Sequence, residues 1–171
     1  MAHQVNAIVR IGDRAPDFKL PSQSGEPVSL NALVGSKEIV LYFYPKDNTQ
    51  GCTAEACAFR DSYEVFKELG AEVVGVSSDT ADSHRDFASK YKLPFILLSD
   101  ERGKVRKLYG VPPTLGILSG RVTYIIDRKG IVKHIFNSQF NPKKHVDEAL
   151  ASLKAMREEE SQLAGEARNK Q

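Results

Sequence analysis

Two cysteines five positions apart, Cys52 and Cys57, are the residues whose type and spacing most directly suggest chemistry. They are the only cysteines among 171 residues, so they cannot form the set of several disulfides that stabilises many small secreted proteins. A zinc site would need two more ligands nearby, and the nearest histidine, His84, lies on a different predicted element. The pair is therefore better explained by redox chemistry than by metal binding.

The sequence around Cys52 predicts a thiol at the beginning of a helix. A buried strand at Ile39–Tyr44 ends before Pro45, and the polar loop Lys46–Gly51 leads into a helix that stops at Gly70. Unpaired backbone N–H groups and the positive end of the helix dipole favour thiolate over thiol there. A thiol with a pKa near 8.5 is about 3% ionised at pH 7, whereas one lowered to about 6 is roughly 90% ionised. The alternative is an ordinary buried cysteine, against which the polar loop argues.

The spacing of Cys57 from Cys52 restricts how the two can react with each other. On an ideal helix, residues five apart have Cα atoms roughly 8.7 Å apart and point about 140° away from each other. A disulfide needs Cα atoms within about 7 Å and facing side chains. The two cysteines can therefore bond only if the first turns of the helix unwind. The alternative is that Cys57 is simply a small residue on the buried face of the helix.

The rest of the chain alternates predicted strands and helices, which indicates an α/β domain with a mixed central sheet and helices on both faces. The predicted hairpins are formed by Phe18–Leu20 with Pro27–Leu30 and by Val122–Ile126 with Ile131–Phe136. Further strands are predicted at Ile39–Tyr44, Glu72–Ser77 and Phe95–Leu98. The predicted helices are Cys52–Leu69, a helix from Asp82 or Ser83 to Tyr91, Lys104–Tyr109 and a last helix from Asn141.

Composition indicates one soluble domain rather than a nucleic-acid-binding or membrane protein. The chain is 41% hydrophobic and 27% charged, with a mean hydropathy of −0.36. A net charge of +2 is too small to indicate binding to nucleic acid or to an anionic membrane. The longest apolar run is far below the ~18 residues of a membrane span, and residues 1–10 contain no secretory signal pattern. We expect an N-terminal extension at 1–10, the domain at 11–156 and a charged, flexible tail at 157–171.

Three separated segments, Gly12–Phe18, Tyr44–Asp61 and Gly120–Asp127, resemble the motifs of the peroxiredoxins. The segment Tyr44–Asp61 is similar to the branch called peroxiredoxin Q or bacterioferritin comigratory protein. The likeness extends over residues 11–156, nearly the whole chain. It rests on motifs that occur in the family's order, namely Pro45-x-x-x-Thr49-x-x-Cys52, Gly12-Asp-x-Ala-Pro-Asp-Phe18 and Gly120-Arg-Val-Thr-Tyr-Ile-Ile-Asp127.

The resemblance implies a thioredoxin-like fold and a thiol-dependent peroxidase that reduces hydrogen peroxide and organic hydroperoxides without a metal, flavin or haem. Cys52 would be the peroxidatic thiolate, which becomes a sulfenic acid. Thr49 would orient the peroxide, Pro45 would shield the site from water, and Arg121 would supply a permanent positive charge. Taken singly, these three residues could be a loop hydroxyl, a strand terminator and a solvated charge, so it is their joint occurrence that favours catalysis.

The same resemblance makes Cys57 the resolving cysteine. It would attack the sulfenic acid, expel water and leave an intramolecular disulfide, which thioredoxin or a similar dithiol would reduce. Glu55 also matches the branch, either as a member of the local network or as an exposed carboxylate in the first turn. The histidines His84, His134 and His145 have no metal-ligand spacing, and we expect them at the surface.

Two other functions are compatible with this fold. A thiol–disulfide oxidoreductase would normally carry Cys-x-x-Cys, and a peroxide sensor would form the sulfenic acid without turnover. A resolving cysteine in the same chain implies a monomer. The resemblance implies the bacterial cytoplasm, with the chloroplast as the alternative because Arg60–Tyr63 and Ser89–Pro94 look similar to photosynthetic members of the branch.

Overall fold

The structure is a computed structural model that describes residues 8–113 and 119–170. In chain order its elements are β1 (Lys19–Pro21), β2 (Pro27–Ser29), α1 (Leu30–Leu33), β3 (Glu38–Phe43), α2 (Gln50–Asp61), α3 (Tyr63–Glu68), β4 (Ala71–Ser77), α4 (Ala81–Tyr91), β5 (Ile96–Ser99), α5 (Lys104–Tyr109), β6 (Val122–Ile126), β7 (Val132–Asn137) and α6 (Pro142–Asn169).

A five-stranded mixed sheet forms the centre of the molecule, with the strand order β5-β4-β3-β6-β7. Strand β3 pairs in parallel with β4 and antiparallel with β6, so it lies in the middle of the sheet. Strands β4 and β5 are parallel, whereas β6 and β7 form an antiparallel hairpin. β1 and β2 form the predicted N-terminal hairpin. Every residue of β3 is buried, as its unbroken apolar run predicts.

The sheet separates two apolar cores. The first lies against α2, α3, α4 and α6, and the second lies under the N-terminal segment, the β1–β2 hairpin and α5. Alternate residues of β3 contribute to each core, with Val40 and Tyr42 on the first side and Ile39, Leu41 and Phe43 on the second. Helices therefore cover both faces of the sheet, and the prediction of a mixed α/β fold is confirmed.

The segment predicted as one helix over Cys52–Leu69 is two helices in the structure. Ser62, with φ −101° and ψ 3°, stands between α2 and α3 and interrupts the regular helix. Serine is only a moderate helix former, because its side chain can compete for backbone hydrogen bonds. The start of α4 also differs from the prediction, since the cap is Thr80, whose side chain accepts a hydrogen bond from the Ser83 N–H.

The last helix, α6, begins after Asn141 as predicted and runs for 28 residues to Asn169. It passes through most of the segment expected to be a flexible tail. Arg157 anchors it there by donating hydrogen bonds to the Leu69 carbonyl and to Glu38 Oε2. The division at 1–10, 11–156 and 157–171 remains a prediction, with residues 1–7 and 171 outside the described part of the chain. Within residues 8–113 and 119–170, no helix is both long and apolar enough to span a membrane.

An aromatic stack under α2 depends on the absence of a side chain on β4. The Tyr42 ring lies 4.5 Å from the Phe59 ring and 5.3 Å from the Tyr44 ring, measured between centroids. Gly75 on β4 leaves the space for Tyr42, because a Cβ at Gly75 would come within 2.8 Å of the tyrosine ring and 2.9 Å of Leu97. The packing between β3, β4 and α2 therefore requires glycine at this position.

We predict that Gly75→Ala lowers the free energy of unfolding by about 1–3 kcal/mol, because the added methyl group overpacks a full core. Gly165→Ala is the matched control, since a Cβ at Gly165 in α6 meets nothing within 4 Å. It should leave the free energy of unfolding unchanged or raise it by up to about 1 kcal/mol. Urea unfolding of the two variants measures both values, and equal stability of the two would contradict the steric argument.

Candidate active site

Cys52 lies in the first turn of α2, directly beyond the carboxyl end of the central strand. Thr49 is the N-cap of the helix, so Cys52 is its third residue. The Cys52 side chain is only 1% exposed. Pro45 is half-buried at the start of the connecting loop, and the Thr49 hydroxyl donates a hydrogen bond to the Lys46 carbonyl at 3.0 Å. The predicted placement of a thiol at a helix N-terminus is thus found, with the helix beginning two residues earlier than expected.

Arg121 places its positively charged guanidinium next to the Cys52 sulfur. Its Nη2 donates to Cys52 Sγ at 3.3 Å, its Nη1 donates to Glu55 Oε1 at 2.8 Å, and its Nε donates to the Gln139 carbonyl at 3.2 Å. All three nitrogens of the guanidinium are therefore held in place. Gly51 permits the close approach, because a Cβ there would lie 3.1 Å from Arg121 Nη2.

Glu55 is fully buried next to Arg121, and this burial favours its protonated form. Burial raises the pKa of Glu55 from 4.5 to about 8, although the Arg121 charge acts to lower it. Glu55 Oε2 has no hydrogen-bond partner among the described residues, and the His145 Nδ1 lies 3.8 Å away. A neutral carboxyl group still accepts from Arg121 through Oε1, but it does not neutralise the guanidinium. The less Glu55 is ionised, the more of the Arg121 charge is available to a negative charge at Cys52.

His145 closes this network on the side of α6 and is neutral. Its Nε2 lies 2.8 Å from the Ser138 carbonyl, which can only accept, so Nε2 carries the proton. Burial lowers the pKa of His145 from 6.5 to about 4, the nearby Arg121 charge acting in the same direction. The other nitrogen, Nδ1, therefore accepts a hydrogen bond from the Thr123 hydroxyl at 2.8 Å. His145 therefore adds no positive charge to this buried network at neutral pH.

A second buried network fixes the loop that precedes Cys52. Asp47, in that loop, accepts hydrogen bonds from the Tyr44 hydroxyl at 2.7 Å and the Ser83 hydroxyl at 2.9 Å. The His84 Nδ1 lies 2.7 Å from the same carboxylate, and the His84 Nε2 donates to the Leu98 carbonyl at 3.0 Å. The loop is thereby tied to α4 and β5.

Three side chains of residue types that can bind metals lie close together. The potential ligand atoms of Asp47, Asp79 and His84 are within 4.8 Å of one another. Their hydrogen bonds explain this clustering without an ion. Asp79 accepts from the Asp47 N–H at 2.9 Å and from the Ser77 hydroxyl, while both nitrogens of His84 face partners. We therefore assign the cluster to support of the loop.

The structure brings together three of the residues singled out in the sequence, Cys52, Arg121 and Glu55. It resolves the alternatives for Glu55, which is buried rather than an exposed carboxylate. Cys57 is in the same helix, half-buried and unbonded, in a groove between α2 and α6. The Thr49 hydroxyl binds the Lys46 carbonyl within the loop.

The expectation that the histidines lie at the surface is wrong for His84 and His145, which are both 0% exposed. His134 is half-buried, with its Nε2 2.9 Å from Glu148. Helical periodicity carries the signal that would have identified the buried pair. His84 lies on one face with Phe87 and Ala88, and His145 shares the apolar face of α6 with Ala149 and Leu153.

The fold and the site together define a protein that uses a thiol for redox chemistry. The AhpC/TSA family matches residues 11–135. Chloroplastic peroxiredoxin Q of Arabidopsis thaliana is 60% identical over 150 residues, which are 87% of this chain and 69% of that protein. Peroxidoxin BcpB from Mycobacterium tuberculosis is 40% identical, with a TM-score of 0.80 over 86% of this chain and 97% of its own. The bacterioferritin comigratory protein of Xanthomonas campestris is 30% identical, with a TM-score of 0.76 over 88% and 98%.

The chain belongs to the AhpC/TSA family and, within it, to the peroxiredoxin Q branch. It is a thiol-dependent peroxidase, and the family predicted from the three motifs is confirmed. The thioredoxin-like fold is confirmed by the same structures.

We predict that Asp47→Asn lowers both stability and peroxidase activity. Loss of a buried charged partner should cost about 3–5 kcal/mol of unfolding free energy, and displacement of the loop should slow the reaction with peroxide by roughly 10- to 100-fold. Asp82→Asn removes an exposed pair with Arg85 and should cost less than about 1 kcal/mol without affecting the rate. Urea unfolding and peroxide consumption test the pair, and similar losses in both variants would exclude the proposed support role.

Proposed function

We propose that Cys52 is the peroxidatic nucleophile of this peroxidase and that Arg121 stabilises the negative charge of the attacking thiolate. The observation that carries the proposal is the 3.3 Å hydrogen bond from Arg121 Nη2 to Cys52 Sγ in the first turn of α2. A guanidinium remains charged across the physiological pH range. Because the site is buried, its attraction for a thiolate is weakened less by solvent than it would be at the surface.

In the first step the Cys52 thiolate attacks one oxygen of the peroxide, and the O–O bond breaks. The sulfur gains a hydroxyl as sulfenic acid, and the leaving oxygen departs as hydroxide or alkoxide and takes up a proton. Arg121 stabilises the charge that develops on the oxygens. We assign Thr49, whose hydroxyl binds Lys46 in the resting site, to orient the peroxide, and Pro45 to shield the sulfur from water.

In the second step the Cys57 sulfur attacks the sulfenic acid, a disulfide forms and water leaves. Both cysteines lie within one continuous helix, α2, whose geometry keeps them too far apart to bond. The first turns of α2 must therefore unwind before resolution. A dithiol reductant, for which we propose thioredoxin or a relative, then restores both thiols.

The relatives support a substrate class and a cellular location. The Xanthomonas campestris protein is described by its alkyl peroxide reduction activity, and we propose organic hydroperoxides as well as hydrogen peroxide as substrates here. The Arabidopsis thaliana relative is chloroplastic, and so are those of Sedum lineare and Gentiana triflora, at 54% and 53% identity. These relatives do not support the first expectation of a bacterial cytoplasm and favour the alternative, the chloroplast. With the resolving cysteine in the same chain, we propose that the enzyme acts as a monomer.

Replacing each cysteine separately tests these roles. Cys52→Ser should abolish peroxide consumption with dithiothreitol or a thioredoxin system as the reductant, because the nucleophile is lost. Cys57→Ser should react once and stop as a sulfenic acid, which a dimedone-type probe and mass spectrometry detect. The wild type should accumulate one intramolecular disulfide when no reductant is present. Turnover by Cys52→Ser would exclude the assignment.

Burial of Glu55 makes the unwinding of α2 dependent on pH. In folded α2 the pKa of Glu55 is about 8, and after unwinding it returns towards 4.5. Between these two values the folded helix holds a proton that the unwound helix releases. Raising the pH through this window therefore favours unwinding, by up to tenfold per pH unit, and the effect levels off above about pH 8.

Glu55→Gln is the control for this pH dependence, because the amide has the shape of a protonated carboxyl group and does not titrate. We predict that disulfide formation after a pulse of peroxide accelerates with pH more steeply in the wild type than in Glu55→Gln. Quenched-flow alkylation measures both rates, and their ratio cancels the ionisation of Cys57, which is common to both proteins. A ratio that stays constant from about pH 5 to about pH 8 would refute the linkage.

A further inference from the structure

The guanidinium of Arg106, on α5, joins the two chain segments that carry the proposed catalytic groups. Its Nη1 donates to the Gly120 carbonyl at 2.8 Å, and its Nη2 donates to the Tyr44 carbonyl, also at 2.8 Å. Tyr44 immediately precedes Pro45, and Gly120 immediately precedes Arg121. One side chain thus holds both segments at the residue before a proposed catalytic one.

The sheet register explains why this donor is needed. Phe43 on β3 pairs with Val122 on β6, and the antiparallel register continued by two residues places Pro45 opposite Gly120. A residue with a backbone N–H could donate across this pair, but proline has none. Gly120 is buried, so its carbonyl would be left without a partner there, which is costly for a polar group. Arg106 Nη1 supplies the missing donor.

Arg106 is itself held from several directions. Its guanidinium lies 5.9 Å from the centre of the Phe43 ring, and its backbone N–H donates to Asp100 Oδ2 at 3.0 Å. Burial lowers the pKa of Arg106, while Asp100 and Cys52 oppose this effect through their negative charges. Besides its two hydrogen bonds, the Arg106 guanidinium therefore interacts with the site electrostatically, because it attracts negative charge at Cys52.

Gly120 leaves no room for a rearranged contact on its own side. A Cβ on this residue would overlap the Pro112 carbonyl, so the backbone is already packed closely. If Arg106 is removed, the two carbonyls are not expected to find new donors within the present packing. The Arg106 bridge that fixes the distance between the Pro45 loop and the beginning of β6 is then lost.

We propose that Arg106 is a positioning residue for the peroxidase reaction: it replaces the backbone donor that Pro45 lacks and so holds Arg121 in register with Cys52. The inference rests on the proposed roles of Cys52 and Arg121. Arg106 does not touch the sulfur, and it acts through the two carbonyls and through its charge. Its loss reduces the reaction of Cys52 with peroxide without removing any of the reacting groups.

The test compares Arg106→Gln, Arg106→Lys and Lys107→Gln as full-length proteins. Lys107 is exposed on the same helix, so Lys107→Gln removes an equal charge one position away without touching either carbonyl. Stopped flow measures the rate constant of the reduced protein with hydrogen peroxide. The pH dependence of iodoacetamide alkylation, performed in a Cys57→Ser background, measures the ionised fraction of Cys52. Circular dichroism and thermal unfolding report whether each variant is folded.

We expect Arg106→Gln to react roughly tenfold more slowly than the wild type and to need a higher pH for alkylation, because it loses both the bridge and the charge. Arg106→Lys should keep the alkylation profile but recover only part of the rate, since an ammonium group lacks the planar fork that spans two carbonyls. Lys107→Gln should match the wild type in both measurements.

A rate for Arg106→Gln within twofold of that for Lys107→Gln would overturn the inference. If Arg106→Gln does not fold, Arg106→Lys decides the matter, and a wild-type rate in that variant would overturn it. Cys52→Ser distinguishes this failure from that of the proposed function. If Cys52→Ser is inactive while the Arg106 variants are normal, only the positioning role is wrong. If Cys52→Ser turns over peroxide, the assignment of the nucleophile is wrong.

Discussion

The arrangement of the site depends on one guanidinium that is shared between a thiol and a carboxyl group. Arg121 donates to Cys52 and Glu55 at once, and the balance between these two acceptors decides how much positive charge the sulfur experiences. An ionised carboxylate would compete with the thiolate, whereas a buried, protonated one accepts a hydrogen bond and leaves the charge in place. Complete burial of Glu55 raises its pKa and so weakens this competition without removing the hydrogen bond.

The surrounding fold holds this interaction through elements that are distant in sequence. The central strand β3 ends at the loop before Cys52, and its antiparallel neighbour β6 begins directly after Arg121. The side chains of Asp47 and His84 tie the loop to α4 and β5 on one side. On the other side, His145 connects β6 to the start of α6. Each of these supports is buried, so water does not compete for its hydrogen bonds.

Sequence patterns predicted most of the architecture because strands and helices here follow simple periodicities. The apolar run of β3, the glycine-containing turns and the Asn141–Pro142 start of α6 are local signals, and the corresponding elements are found. The motif around Cys52 likewise predicted the family. The break at Ser62 was missed because one serine in an otherwise helical segment is a weak signal.

The supporting network could be predicted only in part, since it depends on contacts between distant segments. His84 and His145 lie on apolar helix faces, which their spacing from neighbouring apolar residues could have shown. Arg106 offers no such signal, because its importance follows from the register of β3 and β6 and from the missing N–H of Pro45. The raised pKa of Glu55 is also a property of its surroundings rather than of its place in the sequence.

The interruption at Ser62 limits how much of the molecule would reorganise in the proposed resolution step. It ends α2 after 12 residues, so the segment that contains both cysteines can lose its helical structure while α3 keeps its own. A helix of this length re-forms within about a microsecond, which is much faster than the turnover of typical enzymes. Refolding of α2 is therefore fast on that timescale, and the cysteine-bearing helix is a short segment that can be renewed on a scaffold that stays folded.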